Sequence, residues 1–156
     1  MAYWLIKSEP DAFSIDDLKA VKSEIWDGIR NYQARNYLMS ASVGDLAFFY
    51  HSNAKPPGIV GLAKFVKVGV VDPSQFDPTS KYFDPTSKPD APRWHTVSVK
   101  FVEKFRAELS LDTLKETFSG DELMVVRRGM RLSVTPVADD VAGRILGMAG
   151  SKHAPA

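Results

Sequence analysis

The chain has 156 residues, 44% of them hydrophobic, which is enough for one domain with a continuous core. Its formal net charge is only +1, so nucleic-acid binding would have to depend on a local basic surface and not on bulk attraction. Cysteine is absent, which excludes disulfides and thiolate metal sites.

The N-terminal apolar stretch ends at Lys7 after about five residues, too short for a secretion signal or a membrane span. We therefore expect a soluble, monomeric, intracellular protein that has no membrane partner. It would be cytoplasmic or, in a eukaryote, nuclear.

Hydrophobic periodicity and capping residues predict alternating strands and short helices. Ser14, Asn31 and Ser110 each precede apolar residues at helical spacing, and all three are predicted N-caps. In chain order the predicted elements are a strand at 3–7, helices at 15–22 and 32–40, strands at 46–50, 59–71 and 94–106, a helix that begins at 111 and ends before Gly120, a strand at 131–137 and a helix at 139–148.

Residues 72–93 break this pattern, since they are rich in Pro, Asp, Ser and Thr. The sequence DPTSK at 77–81 recurs at 84–88, and two copies with a period of seven predict a doubled turn. Five or six strands with short helices between them predict an α+β fold, in which a mixed, curved sheet forms a small barrel with helices on its rim. We expect one domain over residues 1–149 and a disordered tail at 150–156.

Common catalytic signatures are missing from the sequence. It contains no GxGxxG, P-loop, HExxH or GxSxG motif. The three histidines, His51, His95 and His153, lie far apart in the chain, so no metal site is predicted. No cofactor is expected either.

Polar and aromatic residues collect at the ends of predicted elements, where sheets and barrels place their sites. Lys7, Ser8 and Glu9 close the first strand, although a solvated charged turn is the alternative. His51 and Ser52 end a later strand. Neighbours on a strand point to opposite faces, so these two cannot readily form a nucleophilic pair, and reading the edge of a base is the better use of them.

A second group surrounds the predicted start of the second helix. Trp26 is followed by Arg30, Asn31 and Arg35, and Asn31 and Arg35 share a helix face. The helix N-terminus offers free N–H groups to a phosphate, so the segment is suited to nucleic acid. A core tryptophan with surface arginines is the alternative.

The long loop supplies a third group. Tyr82 is a candidate lid, Trp94 a candidate pocket wall, and Arg93 lies beside it, although both aromatic residues are equally suited to a core. Residues 28–68 carry five basic side chains against a single acidic one, so this stretch is the predicted backbone-binding patch.

Together these blocks resemble the EVE domain family. The matching blocks are Trp4-x-x-Lys7-Ser8-Glu9-Pro10, Trp26-x-Gly28-Ile29-Arg30-Asn31-x-x-Ala34-Arg35-Asn36, Gly44-Asp45, Phe48-x-Tyr50-His51-Ser52, Gly58-Ile59-Val60-Gly61, Pro92-Arg93-Trp94 and Arg131-Leu132-Ser133-Val134-x-Pro136-Val137. The resemblance implies a PUA-like pseudo-barrel related to the ASCH and YTH folds, and a modified cytosine or adenine of DNA or RNA as ligand. This chain departs from many relatives at residues 71–73, where Val-Asp-Pro replaces Tyr-Pro-Asp.

The favoured hypothesis is a non-catalytic reader of a modified base. The candidate base-binding residues are Trp26, Trp94, Tyr82, Ser8, Asn31, His51 and Ser52. The candidates for backbone contact or pocket anchoring are Lys7, Glu9, Arg30, Arg35 and Arg93. Two alternatives stay open: an enzyme acting on a nucleoside or RNA with Glu9 as acid or base and His51 as its partner, and a small-molecule sensor using the same pocket.

Overall fold

The computed structural model describes residues 1–155, which form one six-stranded mixed sheet flanked by helices. The strands are β1 (Tyr3–Ser8), β2 (Ser23–Ile25), β3 (Leu46–His51), β4 (Gly58–Val71), β5 (His95–Ser110) and β6 (Val134–Val137). The α-helices are α1 (Ile15–Val21), α2 (Tyr32–Ser40), α3 (Leu111–Thr117) and α4 (Asp139–Met148). Two 3₁₀ helices lie at Pro73–Phe76 and Met124–Val126. The predicted α+β class is confirmed.

The sheet order is β2-β5-β4-β3-β1-β6. Strands β1 and β3 pair in parallel, and every other pair within the described residues is antiparallel. The register between β4 and β5 shifts at four places, which increases the local twist and bends these long strands. The parallel pairing sets Ser8 opposite His51, so the ends of β1 and β3 lie side by side.

Both faces of the sheet are buried, because alternate residues of one strand enter different cores. In β3, Ala47 and Phe49 pack with residues of α1 and α2, whereas Phe48 and Tyr50 pack with residues of α3 and α4. Within residues 1–155 no helix is both long and apolar enough to cross a membrane.

Local signals positioned the helices correctly. Ser14, Asn31 and Ser110 accept hydrogen bonds from Asp17 N, Ala34 N and Thr113 N, which confirms all three predicted N-caps. Strand β2 was not predicted, because this short edge strand is exposed along its length and has no alternating pattern.

The segment after α4 was expected to be disordered. The structure describes residues 150–155 of it, and Ser151 is buried there, donating a hydrogen bond to Glu103 Oε1. Ala154 N also donates to the carbonyl of Ser151. Ala156 lies outside the described residues, and the expected disorder stays a prediction.

Candidate functional site

A cavity of about 990 Å³ lies where the ends of β1 and β3 meet the segment that follows β2. Strand β1 and the turn after it supply one wall, and residues 24–29 supply another. Six of the predicted site residues line it: Lys7, Ser8, Glu9, Trp26, Ser52 and Tyr82. The fold therefore brings the ends of β1 and β3, the Trp26 segment and the long loop together around one cavity.

Trp26 is held rigidly at this cavity. Its backbone N donates to Val97 O at 2.9 Å, and its carbonyl accepts a hydrogen bond from Thr96 Oγ1. Its ring meets Phe49 edge to face at 5.5 Å and Phe13 at 6.2 Å, leaving the residue only 7% exposed. With two aromatic rings packed against it and only 7% exposure, Trp26 offers little open surface for stacking.

The indole N–H of Trp26 differs from those of the other two tryptophans. Trp4 Nε1 donates to Asp45 at 2.9 Å, and Trp94 Nε1 donates to Asp84 at 2.8 Å. Trp26 Nε1 has no hydrogen-bond partner among the described residues. It keeps some solvent access, because Thr135 Oγ1 is the only fully buried side-chain polar atom without a partner in residues 1–155. Trp26 lines the cavity, so this largely buried residue brings an indole N–H without a partner among the described residues to the cavity lining.

A network around Asp72 fixes the opposite wall. Asp72 is 1% exposed and accepts hydrogen bonds from Gly28 N, from Arg30 Nη1 at 2.9 Å and from the backbone and hydroxyl of Ser74. Burial alone would raise the pKa of Asp72, but these hydrogen bonds hold it below its usual value. Arg30 also donates to the Tyr82 carbonyl at 2.7 Å. Arg30 therefore anchors the pocket from behind and is not free to reach a phosphate.

Acidic side chains give the cavity hydrogen-bond acceptors. Asp27 lines it, and burial raises the pKa of its carboxyl, with further increases from the charges of Asp72 and Glu24. Glu9 Oε1 accepts a hydrogen bond from Asn53 Nδ2 at 3.2 Å. The cavity thus combines carboxylate acceptors with the free indole donor.

Two predicted base readers have structural roles instead. Asn31 Oδ1 caps α2 by accepting from Ala34 N at 3.0 Å, so its acceptor is occupied. His51 Nε2 accepts from Ile15 N at 3.1 Å, and burial lowers the pKa of the imidazole. Neither residue lines the cavity. Glu9 and His51, the pair that the enzyme alternative requires, thus make separate contacts.

A second aromatic cluster accounts for three further predicted residues. The guanidinium of Arg30 connects it to the cavity wall, lying 5.1 Å from the Trp94 ring and 5.8 Å from the Tyr82 ring. Trp94, the predicted pocket wall, stacks on Tyr32 at 4.9 Å. Arg35 covers Tyr32 at 4.7 Å and donates to the carbonyl of Arg93 at 2.9 Å. Arg93 Nη1 lies 3.4 Å from the Tyr32 hydroxyl. None of Trp94, Arg35 and Arg93 lines the cavity.

Several lining residues were not predicted from the sequence. Asp27 is one of them, although its position between Trp26 and Gly28 was a usable signal. Phe13, Asn53 and Arg131 also line the cavity, but only the tertiary fold brings them there. Among residues 1–155, no group of three or more His, Asp or Glu side chains is placed to hold a metal ion.

The EVE domain family model matches residues 2–148. Thymocyte nuclear protein 1 of Mus musculus is 43% identical, over 94% of this chain and 73% of that protein. A crystal structure of a Pseudomonas syringae protein has a TM-score of 0.90 and 44% identity, covering 95% of this chain and 99% of that one. A crystal structure of human THYN1 protein in complex with DNA containing 5-methylcytosine has a TM-score of 0.89 and 39% identity. The match covers 97% of this chain and 99% of that one. This chain therefore belongs to the EVE domain family.

Proposed function

We propose that this chain is a non-catalytic reader that binds a modified nucleobase of nucleic acid, with a methylated cytosine of DNA as the favoured ligand. The reader domain is residues 1–149, acting as a monomer. Since its ligand is intracellular, the protein would work in the cytoplasm of a bacterium or in the nucleus of a eukaryote.

The observation that carries the proposal is one cavity lined both by Trp26, whose indole N–H has no hydrogen-bond partner among the described residues, and by Asp27 with its carboxyl group. A cytosine turned out of its stack presents an exocyclic amine that donates, and ring N3 and O2 atoms that accept. Asp27 can accept from the amine, while Trp26 Nε1 can donate to an acceptor of the same edge. The apolar side chains of Phe13 and Ile29 line the same cavity and suit a methyl group.

The ligand of a close relative supports this choice. Human THYN1 protein shares the fold over nearly its whole length and was crystallised with 5-methylcytosine-containing DNA. The charge of the cavity is compatible with a neutral base, since acidic Glu9, Glu24 and Asp27 are balanced by basic Lys7, Lys81 and Arg131.

The test is fluorescence anisotropy with oligonucleotides that are identical except at one base. The panel contains cytosine, 5-methylcytosine, adenine and N6-methyladenine, each in DNA and in RNA. Burying one methyl group contributes about 0.8 kcal/mol, so we expect the 5-methylcytosine strand to bind about fourfold more tightly than its cytosine control.

Mass spectrometry of the recovered strands completes the experiment, and we expect their masses to be unchanged. Equal affinity across the whole panel would refute the reader proposal. Conversion of any base to a product would favour the enzyme alternative. Equal binding of the free nucleoside and the oligonucleotide would favour the sensor.

A further inference from the structure

A second groove, of about 720 Å³, adjoins the base cavity. The two share four lining residues: Lys7, Ser52, Asn53 and Arg131. The groove continues past Tyr50 to the start of α3 and to the loop between the second 3₁₀ helix and β6. Its floor includes the apolar side chains of Leu111 and Val125.

The groove is strongly cationic. No described lining residue is acidic. Five are basic: Lys7, Lys115, Arg127, Arg128 and Arg131. None of the five forms an ion pair with a carboxylate within the part of the chain that the structure describes. Arg30, by contrast, is neutralised by the buried Asp72 at 2.9 Å. The groove therefore carries positive charge that no carboxylate of the described residues neutralises, whereas the charge of Arg30 is neutralised.

Lys7 stands at the junction of the two spaces. Its ammonium lies 3.4 Å from the Met130 carbonyl and 5.8 Å from the centre of the Tyr50 ring. Burial lowers the pKa of Lys7. The backbone of Lys7 is paired as well, because its N donates to Ser133 O at 2.9 Å. A cation fixed between the groove and the cavity is well placed to meet a phosphate next to a bound base.

We propose that this groove binds the phosphodiester backbone flanking the recognised base, with Lys115, Arg127, Arg128 and Arg131 as the phosphate contacts and Lys7 at the junction. The inference rests on the proposed function, because it takes nucleic acid as the ligand. The basic residues of the groove lie outside the predicted patch at residues 28–68, whose Arg30 is paired with Asp72. Arg127 donates to the Gly120 carbonyl at 2.7 Å but has no carboxylate partner among the described residues. The negatively charged phosphodiester backbone matches the positive charge of the groove. Contacts to phosphates add affinity that does not depend on the base sequence around a base pocket.

The test compares two double variants, Lys115→Gln/Arg128→Gln in the groove and Lys67→Gln/Arg106→Gln outside it. All four side chains are exposed and none forms an ion pair among the described residues, so each variant removes the same charge. Lys67 and Arg106 line neither space. Binding of the cytosine and 5-methylcytosine strands is titrated from 50 to 300 mM salt, with circular dichroism to verify folding.

We expect the groove variant to weaken binding of both strands by the same factor. The slope of log K against log salt concentration should become shallower by about 1.8, which is about 0.9 for each phosphate that is no longer neutralised. The preference for the methylated strand is expected to persist, and the control variant to retain the wild-type slope. A groove variant with the slope of the control would overturn the inference, as would a weakening confined to the methylated strand. The single variants, each expected to show about half of that slope change, decide the matter if the double variant is unfolded.

The readouts separate the two proposals. The affinity ratio between methylated and unmethylated strands tests the base reader, and the salt slope tests the groove. If the wild type binds both strands equally and the groove variant alone has a reduced salt slope, the reader proposal is refuted and the groove proposal stands. A wild-type protein that binds no strand would overturn both.

Discussion

The ring of Tyr82 lies directly on the backbone of Gly28. A Cβ atom built on Gly28 would stand 2.6 Å from Tyr82 Cε2, closer than real side chains approach. Gly28 also has a φ of +82°, a conformation that other residues adopt only with strain. The glycine therefore lets the Tyr82 ring close one side of the base cavity.

Gly28→Ala is expected to displace the Tyr82 ring and weaken binding of the methylated strand, because both residues line the cavity. The left-handed conformation alone costs an alanine about 1–2 kcal/mol of stability. Gly69→Ala is the matched control, since Gly69 has a φ of +63° but open space where its Cβ would lie.

Urea denaturation and anisotropy separate the two effects. We expect both variants to be destabilised by the strain energy, but only Gly28→Ala to bind more weakly. If Gly28→Ala binds the methylated strand as the wild type does, then Tyr82 takes no part in the pocket.

Trp26→Phe is expected to remove the indole donor while keeping most of the ring packing. One neutral hydrogen bond contributes about 0.5–1.5 kcal/mol, so affinity for the methylated strand falls about two- to tenfold, with a small effect on stability. Trp26→Ala is a poor test, because deleting this buried ring costs about 3–5 kcal/mol and endangers the fold.

Trp4→Phe provides the opposite pattern as a control. It removes the hydrogen bond to Asp45, a buried carboxylate that also accepts from Ala2 N and Ser42 N. We expect a decrease of about 1.5–3 kcal/mol in the free energy of unfolding, measured in urea, and unchanged DNA affinity. The role assigned to the Trp26 N–H fails if Trp26→Phe binds the methylated strand with wild-type affinity.

Asp27→Asn is expected to stabilise the fold slightly at pH 7, because the side chain is exposed and solvent screens its charge, and to weaken binding. Burial and neighbouring carboxylates raise the pKa of Asp27 in the folded protein above its ordinary 3.8, so its ionised form opposes folding. This penalty is present at neutral pH and is relieved as the pH falls below the raised pKa of the folded state. The stabilisation by Asn is therefore expected to shrink as the pH approaches 4.

Removal of a charged acceptor for the cytosine amine should reduce affinity about fivefold, the difference between charged and neutral hydrogen bonds. Thermal unfolding at pH 7 and pH 4.5 measures the first effect, and anisotropy at pH 7 the second. An Asp27→Asn protein with wild-type affinity would remove Asp27 from the recognition scheme.

His51 is expected to make stability depend on pH. Its Nε2 must be unprotonated to accept from Ile15 N, and burial lowers its pKa below 6.5, against the opposing charges of Glu108 and Asp16. The unfolded chain therefore takes up a proton first, and the free energy of unfolding decreases as the pH falls from about 6.5 through the lower pKa of the folded state.

His51→Gln keeps an acceptor and removes this titration. Urea denaturation at intervals from pH 7.5 to 5 should then give a flatter profile than the wild type. A parallel profile in the variant and the wild type would contradict the assignment.

Local signals predicted the fold well, because they need only neighbouring residues. The Asn31 cap begins α2 as expected, and the apolar spacing after Asp139 locates α4 at the predicted residues. Gly61 and Gly69, which interrupt the predicted strand at 59–71, lie at register shifts between β4 and β5. Strand β2 was missed because an exposed edge strand lacks periodicity.

The site was harder to predict, because the sequence does not reveal the long-range partners of a side chain. Arg30 has the chemistry of a phosphate ligand, but Asp72, 42 residues away, neutralises it. Asn31 has the amide of a base reader, but the helix takes its acceptor. Trp26 was assigned to the pocket correctly as a lining residue, whereas its burial by Phe49 depends on tertiary packing.

Strand β1 pairs with β3 on one side and with β6, the last strand, on the other. In the pairing with β6, Trp4 lies opposite Pro136. The cavity likewise takes residues from both sequence extremes, with Lys7 and Arg131 in its lining. During synthesis an emerging chain would hold β1 with one edge unpaired until β6 leaves the ribosome. Base recognition is therefore acquired late in translation, and nascent or truncated chains lacking β6 have an edge open to aggregation and no complete pocket.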